Sequence, residues 1–206
     1  MTDQTHKPII ALDIDDVLAN VIDSVRLWAN ETTGVELTPE QYRTNDEYWH
    51  YFDSIWQRHG VADKVTFSDV LERMKTDQSN IATVEGAREA IQALKSKYDF
   101  VFITSRPPYQ EEATRRWLDE HIDPTIPLYL SFHPGVNEIA QSKGEICAEL
   151  GVSLLIDDNT GNCQSAIDYG VDAIVFGDYG WNEKVPAHMK RYTTWNEIGE
   201  YLLHET

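Results

Sequence analysis

The chain reads as an α/β protein: a Rossmann-like core with a parallel sheet of about five strands, and a helical block inserted after the first strand. Three observations point there. Short apolar runs alternate with helix-patterned segments from residue 83 onward. The runs are apolar throughout, as strands are when helices cover both faces of a sheet. Polar residues gather just where the runs end, the side on which ligands bind in such sheets.

The first strand is expected over residues 8–14 and breaks into acids at Asp13, Asp15 and Asp16. Side chains two apart on a strand share a face, so Asp13 and Asp15 are expected to leave the strand end on one side. Two carboxylates that close need a cation between them, or a proton on one of them. Asp16 is read as an N-cap for the following helix.

Residues 19–80 follow a different pattern, rich in rings: Trp28, Tyr42, Tyr48, Trp49, Tyr51, Phe52 and Trp56. Val21, Val25 and Trp28 recur at helical spacing, and Gly34 fits a helix stop. Thr38-Pro39-Glu40-Gln41 supplies an N-cap, a proline at the first helical position and an acid in the first turn. Ser68 is expected to cap a further short helix. The expected division is therefore 1–18 with 81–206 as the α/β core, and 19–80 as a helical insertion.

Thr83 is expected to cap a helix over 85–97, with Ala87, Ala90, Ile91 and Leu94 on one face. Asp99–Thr104 reads as a buried strand, 110–121 as an amphipathic helix and Leu128–Phe132 as strand-like. Ser142 starts a helix that ends before Gly151. Val152–Ile156 is the next strand and ends in Asp157-Asp158. A helix over 162–169 stops at Gly170, Asp172–Phe176 is the fifth strand, and Thr194 caps a last helix over 195–203. Strands separated by helices of this length imply right-handed crossovers and a parallel sheet.

Composition narrows the partners. Among 206 residues, 17 Lys and Arg face 35 Asp and Glu, a net charge of −18. Such a surface repels a nucleic-acid polymer, which rewards clustered cations. A small phosphorylated metabolite remains compatible, because a bound divalent cation reverses the local field. The two cysteines, Cys147 and Cys163, form no framework and read as reduced packing residues. Met1–Lys7 is polar and lacks the apolar core of a signal peptide, and no run approaches the roughly 18 apolar residues of a membrane span. A cytoplasmic location with no membrane partner is the expectation, and a homodimer is compatible with it.

Four polar groups converge on the strand ends: Asp13-Ile14-Asp15, Thr104 with Ser105, Lys143, and Asp157-Asp158. Their order and spacing resemble the haloacid dehalogenase-like hydrolase superfamily over residues 8–177, the insertion excepted. The opening Asp13–Asn20, the run Ile103-Thr104-Ser105, Leu155–Asn159 and the late Phe176–Asn182 resemble the 5′(3′)-deoxyribonucleotidases within it.

The resemblance implies a Mg²⁺-dependent phosphomonoesterase acting on nucleoside or deoxynucleoside monophosphates. Asp13 would be the nucleophile and Asp15 the acid/base. Mg²⁺ would be held by the Asp13 carboxylate, the Asp15 backbone carbonyl and one of the late pair, with Asp157 favoured and Asp158 as ligand or supporting group. Thr104 and Ser105 would bind phosphoryl oxygens, and Lys143 would offset charge between nucleophile and phosphate. Arg106 would contact phosphate or nucleotide, or serve only as a surface charge. The insertion would act as a cap, with Tyr48, Trp49 and Phe52 as the rings most suited to a base. Competing readings are a phosphatase for another small metabolite such as a sugar phosphate, a receiver domain, and an inactive binding protein on the same fold. Receivers place the late acid pair first, which disagrees with the order here.

Overall fold

The structure is a computed structural model and describes residues 6–44, 51–132 and 137–204. Six strands form one parallel sheet: β1 (Ile9–Leu12), β2 (Asp99–Thr104), β3 (Leu128–Leu130), β4 (Val152–Asp157), β5 (Asp172–Phe176) and β6 (Lys190–Tyr192). Their spatial order is β3-β2-β1-β4-β5-β6. The strand order reverses between β1 and β4, and open α/β sheets form their crevice at such a point.

The five expected strands are present. The sixth, β6, is short and polar and pairs only with β5 at the sheet edge, Ile174 opposite Lys190. An edge strand buries little, so Lys190-Arg191-Tyr192 carries no apolar run to announce it.

Helices α4 (Ala87–Leu94), α5 (Glu111–His121), α6 (Lys143–Leu150), α7 (Thr160–Asp168) and α8 (Trp195–His204) surround the sheet. Two buried clusters result. The larger holds Ile10, Leu12, Phe102, Ile156, Trp195 and Ile198, and the smaller holds Ala11, Ile103, Leu155, Cys147 and Cys163. Both cysteines are free and buried, as packing residues should be.

Between β1 and α4 the described chain is helical: α1 (Val21–Thr33), a 3-10 turn at Pro39–Tyr42, α2 (Tyr51–Arg58) and α3 (Phe67–Met74). The two strands of chain leading in and out of this block are tied together. The Asn20 amide donates to Ala82 O at 2.8 Å and the Val84 amide to Leu18 O at 2.7 Å. Gly34 ends α1 in the left-handed conformation, φ 73°, as its sequence context suggests.

Caps differ in detail from expectation. Thr66, not Ser68, caps α3, sharing a reciprocal pair of bonds with Asp69. Gly86, not Thr83, precedes α4, because Thr83 instead bridges Ala19. Asn20 occupies the N-cap position of α1, while Asp16 supports that helix from further back. Its Oδ1 accepts the Ile22 amide at 2.9 Å. No described helix is long and apolar enough to cross a membrane.

Candidate active site

The carboxyl ends of β1, β2 and β4 deliver the predicted residues to one place. Asp13 continues β1, its amide bonded to Ile156 O at 3.0 Å. The chain then turns tightly, with the Leu18 and Ala19 amides both donating to Ile14 O. That turn puts Asp16 at φ 57°, the only described non-glycine residue with positive φ. Aspartate tolerates this region better than most residues, because its short side chain bonds locally.

Lys143 is the first residue of α6, whose start is fixed twice over. Ser142 and Glu145 cap each other reciprocally. Gly144 lies so close to α7 that a Cβ there would stand 2.3 Å from Ser165 O. From this fixed point the Lys143 ammonium reaches Asp13 Oδ1 at 2.5 Å and Asp157 Oδ2 at 2.6 Å. All three side chains are buried.

Asp13, Asp157 and Asp158 can bring one oxygen each within 4.8 Å of one another. Three buried carboxyls share one ammonium, so the cluster is short of positive charge. Burial raises the Asp13 carboxyl to about 7, with Lys143 partly opposing that rise. Burial also lifts Asp158 well above the usual carboxylate range, and the neighbouring Asp157 adds to it. The pairing acts oppositely on Lys143: burial works against its charge, but Asp13 and Asp157 hold its pKa above the usual lysine value.

The two adjacent aspartates are used differently. Asp157 Oδ1 accepts the Asn159 amide at 2.9 Å and Asn162 Nδ2 at 3.1 Å, while Oδ2 takes Lys143 and Asn162. Asp158 Oδ2 accepts the Trp181 indole N–H at 2.7 Å. Its Oδ1 is buried with no protein partner. A buried carboxylate oxygen left open costs heavily unless a cation or proton meets it. Oxygen donors, a charge deficit and an open oxygen suit a hard divalent cation.

Asp15 stands outside this trio. Its side chain is about a quarter exposed, and it is held by Arg106, whose Nη2 reaches Asp15 Oδ1 at 2.7 Å. Arg106 itself is buried. Thr104 is buried at the end of β2 and its Oγ1 accepts the Arg106 amide at 3.2 Å. Ser105 Oγ shares a hydrogen bond with Ser131 Oγ at 2.9 Å and lines the adjoining cleft.

That cleft opens beside the acids. Asp15, Asp16, Asp53, Ser105, Arg106 and Gln110 are its polar lining. Tyr51, Phe52, Phe67 and Trp181 supply rings, and Val21, Val70, Leu71 and Met74 the remaining apolar wall. Phe52 also packs within the helical block, stacked on Trp56 and Phe67 at 5.7 and 6.2 Å between centroids. It is thus both a packing ring and a cleft ring. Tyr48 and Trp49 lie outside the described residues.

Sequence reasoning did not single out Tyr51, Phe67, Gln78, Asn162 or Trp181 as site residues. Trp181-Asn182 stood out only as a family-like pair. Here Trp181 bonds Asp158 Oδ2, and Asn182 Nδ2 donates to Asp158 O and Phe176 O at 2.9 Å each. Tyr51 meets Trp181 edge to face at 4.7 Å, so the helical block touches the loop after β5. Gly180 in that loop lies against Thr44, leaving no room for a side chain.

Solved structures repeat this fold across nearly the whole chain. A conserved haloacid dehalogenase-like protein of Agrobacterium tumefaciens aligns with TM-score 0.60 at 14% identity, covering 96% of this chain and 98% of its own. The protein YfnB of Bacillus subtilis, solved with magnesium bound, aligns at 0.56 and 14%, covering 96% and 99%. CbbY of Rhodobacter sphaeroides, solved with a xylulose bisphosphate, aligns at 0.56 and 18%, covering 94% and 96%. No curated protein matches the chain by sequence. A family model does, over residues 7–205, and its description is "5′ nucleotidase, deoxy (Pyrimidine), cytosolic type C protein". The acid cluster at the ends of β1 and β4, on this sheet and under this match, makes the chain a haloacid dehalogenase-like phosphatase belonging to that nucleotidase family.

Proposed function

We propose that the protein is a Mg²⁺-dependent phosphomonoesterase that cleaves nucleoside or deoxynucleoside monophosphates through an aspartyl-phosphate. One observation carries the reading: Asp15, Asp16 and Arg106, beside the acid cluster, share a single cleft with Tyr51, Phe52, Phe67 and Trp181. A phosphate at the polar side leaves a planar base against rings and aliphatic side chains, where stacking is favourable.

Asp13 attacks phosphorus, forming its bond to an Asp13 oxygen as the ester P–O bond breaks. Asp15 gives a proton to the departing ester oxygen. It then takes one from the water that cleaves the aspartyl-phosphate, releasing inorganic phosphate and restoring Asp13. Lys143 offsets charge beside the nucleophile, and Thr104, Ser105 and nearby backbone N–H groups receive phosphoryl oxygens.

Asp13, the Asp15 carbonyl and Asp158 would hold the Mg²⁺, which lowers the repulsion between nucleophile and phosphate. We take Asp158 over Asp157 as the direct ligand, because Asp158 has the open oxygen. Asp157 then fixes Lys143. Residues 19–80 act as the cap that closes over the cleft and excludes water. The enzyme works in the cytoplasm on a small nucleotide, with no nucleic-acid polymer or membrane as partner.

A phosphate-release panel with Mg²⁺ tests this. Nucleoside monophosphates are expected to exceed sugar phosphates by about tenfold or more in kcat/KM, roughly the value of one stacked ring. Equal rates would overturn the nucleotide preference. Asp13→Asn is expected to lose at least about 10⁴-fold in kcat, as removing a nucleophile does. An active Asp13→Asn enzyme would overturn the mechanism.

A further inference from the structure

We propose that Arg106 is a positioning residue for the acid/base Asp15, and that Gln78 and Thr114 set Arg106 in turn. The proposal rests on the phosphomonoesterase reading above and reassigns Arg106, which the sequence offers as a phosphate or nucleotide contact.

Four of the five guanidinium N–H groups go to protein partners. Its Nε lies 3.1 and 3.0 Å from the two Asp15 oxygens, and Nη2 lies 2.7 Å from Oδ1. Nη1 donates to Gln78 Oε1 at 2.6 Å and to Thr114 Oγ1 at 3.1 Å. Gln78 is itself anchored, its Nε2 donating to Met74 O at 2.9 Å and lying 3.3 Å from Thr114 Oγ1. Gln78, Arg106 and Thr114 are all buried.

The arrangement joins three parts of the chain that sequence separates. Asp15 sits in the turn after β1, Gln78 in the return from the helical block, and Thr114 on α5. A lone carboxylate on that turn could occupy several rotamers. A forked guanidinium gripping both oxygens permits one. General acid catalysis requires the carboxyl within hydrogen-bond reach of the ester oxygen, and a displacement of about 1 Å can cost about 10²-fold. Lysine supplies the charge without the fork, so it cannot replace Arg106 here. Gln78 and Thr114 do not themselves line the cleft; Gln78 also bonds Met74 O on the wall, so KM is read alongside turnover.

The leaving group separates aiming from other roles. A nitrophenolate departs without a proton, whereas an alkoxide needs one from Asp15. Gln78→Met, Thr114→Val and Arg106→Lys should therefore be assayed on p-nitrophenyl phosphate and on two alkyl esters, a nucleoside monophosphate and glycerol 2-phosphate. Thermal melts accompany each assay.

Gln78→Met and Thr114→Val are expected to lose about tenfold in kcat/KM on the alkyl esters, and Arg106→Lys about 10²-fold. For Gln78→Met and Thr114→Val, kcat/KM on the nitrophenyl ester should fall less than about threefold, because it reports only formation of the aspartyl-phosphate. Their kcat falls on both ester types, because Asp15 also activates the water of the second step. Equal losses of kcat/KM on both ester types, an unchanged kcat, or wild-type kinetics in the folded variants would overturn the proposal. A wild type active on glycerol 2-phosphate but not on nucleotides would sink the nucleotidase reading and leave this one standing. A wild type active on no ester would sink both.

Discussion

The acid floor beside the cleft and the cleft's ringed wall are built by opposite means. The floor is charge held rigidly: Asp13, Asp157 and Asp158 sit at strand ends, braced by Lys143 from a doubly fixed helix start. The wall is shape: Phe52, Phe67, Val70 and Met74 come from helices α2 and α3 and touch one another as much as the cleft. Chemistry in the first region depends on a few exact partners, because an unpaired buried charge costs several kcal/mol. Recognition in the second depends on area, which tolerates small changes. Damage to the floor should therefore appear in kcat and metal affinity, and damage to the wall in KM. Trp181 belongs to both regions, its ring in the wall and its N–H on Asp158.

The largest expected effect breaks the floor. Asp158→Asn should weaken Mg²⁺ binding more than about 100-fold, and Trp181→Phe by about tenfold, since supporting partners are worth 10–100-fold. Asp157→Asn should instead loosen Lys143 and lower the melting temperature. Titration calorimetry with Mg²⁺ alone reads all three variants. A silent Asp158→Asn beside a metal-deficient Asp157→Asn would reverse the assignment.

A smaller effect tests the wall. Phe52→Leu keeps most of the packing against Trp56 and Phe67 but removes the ring. KM for nucleoside monophosphates should rise about tenfold, in line with the 1–3 kcal/mol of a stacked base. The nitrophenyl ester should be turned over at nearly the wild-type rate. A fall in kcat on both esters would mean that wall and floor are not separable.

The smallest effect lies where the regions meet. Burial raises the Asp16 carboxyl to about 8, with the Ile22 amide opposing the rise. The folded state thus holds a proton that the unfolded chain releases near 3.8. Wild-type stability conferred by that proton is full below about 4 and is lost as pH climbs toward 8. Asp16→Asn keeps the acceptor for α1 and removes the titration. Its melting temperature relative to wild type, measured in chelator, should climb by about 3 °C or more between pH 5 and pH 8. A constant difference would show that Asp16 does not titrate in this range.

Much of the floor was legible because its residues are local events. A buried strand followed by acids can be read from a dozen residues, and Asp13 and Asp157-Asp158 sit at such boundaries, with Thr104 at another strand end and Lys143 at a capped helix start. The wall was less legible. Aromatic residues over 19–80 mark a small core equally well as a binding face, and Phe52 serves as both. Strand β6 escaped notice because an edge strand of three residues needs no apolar pattern. The cap was displaced by two residues, since Thr66 and Ser68 both offer a hydroxyl.

By itself, the sequence determined the parallel α/β core and the acidic side of the sheet. Each follows from periodicity or from residue types at strand ends, which neighbours along the chain decide. Tertiary structure alone decided that Asp158 keeps an open oxygen while Asp157 does not, that Arg106 grips Asp15, and that Trp181 reaches the acids. Those outcomes are competitions for hydrogen bonds among groups brought together from β1, β4, α5, α6 and the loop after β5. Adjacent aspartates are chemically identical in sequence, and only the partners that reach each one make them different.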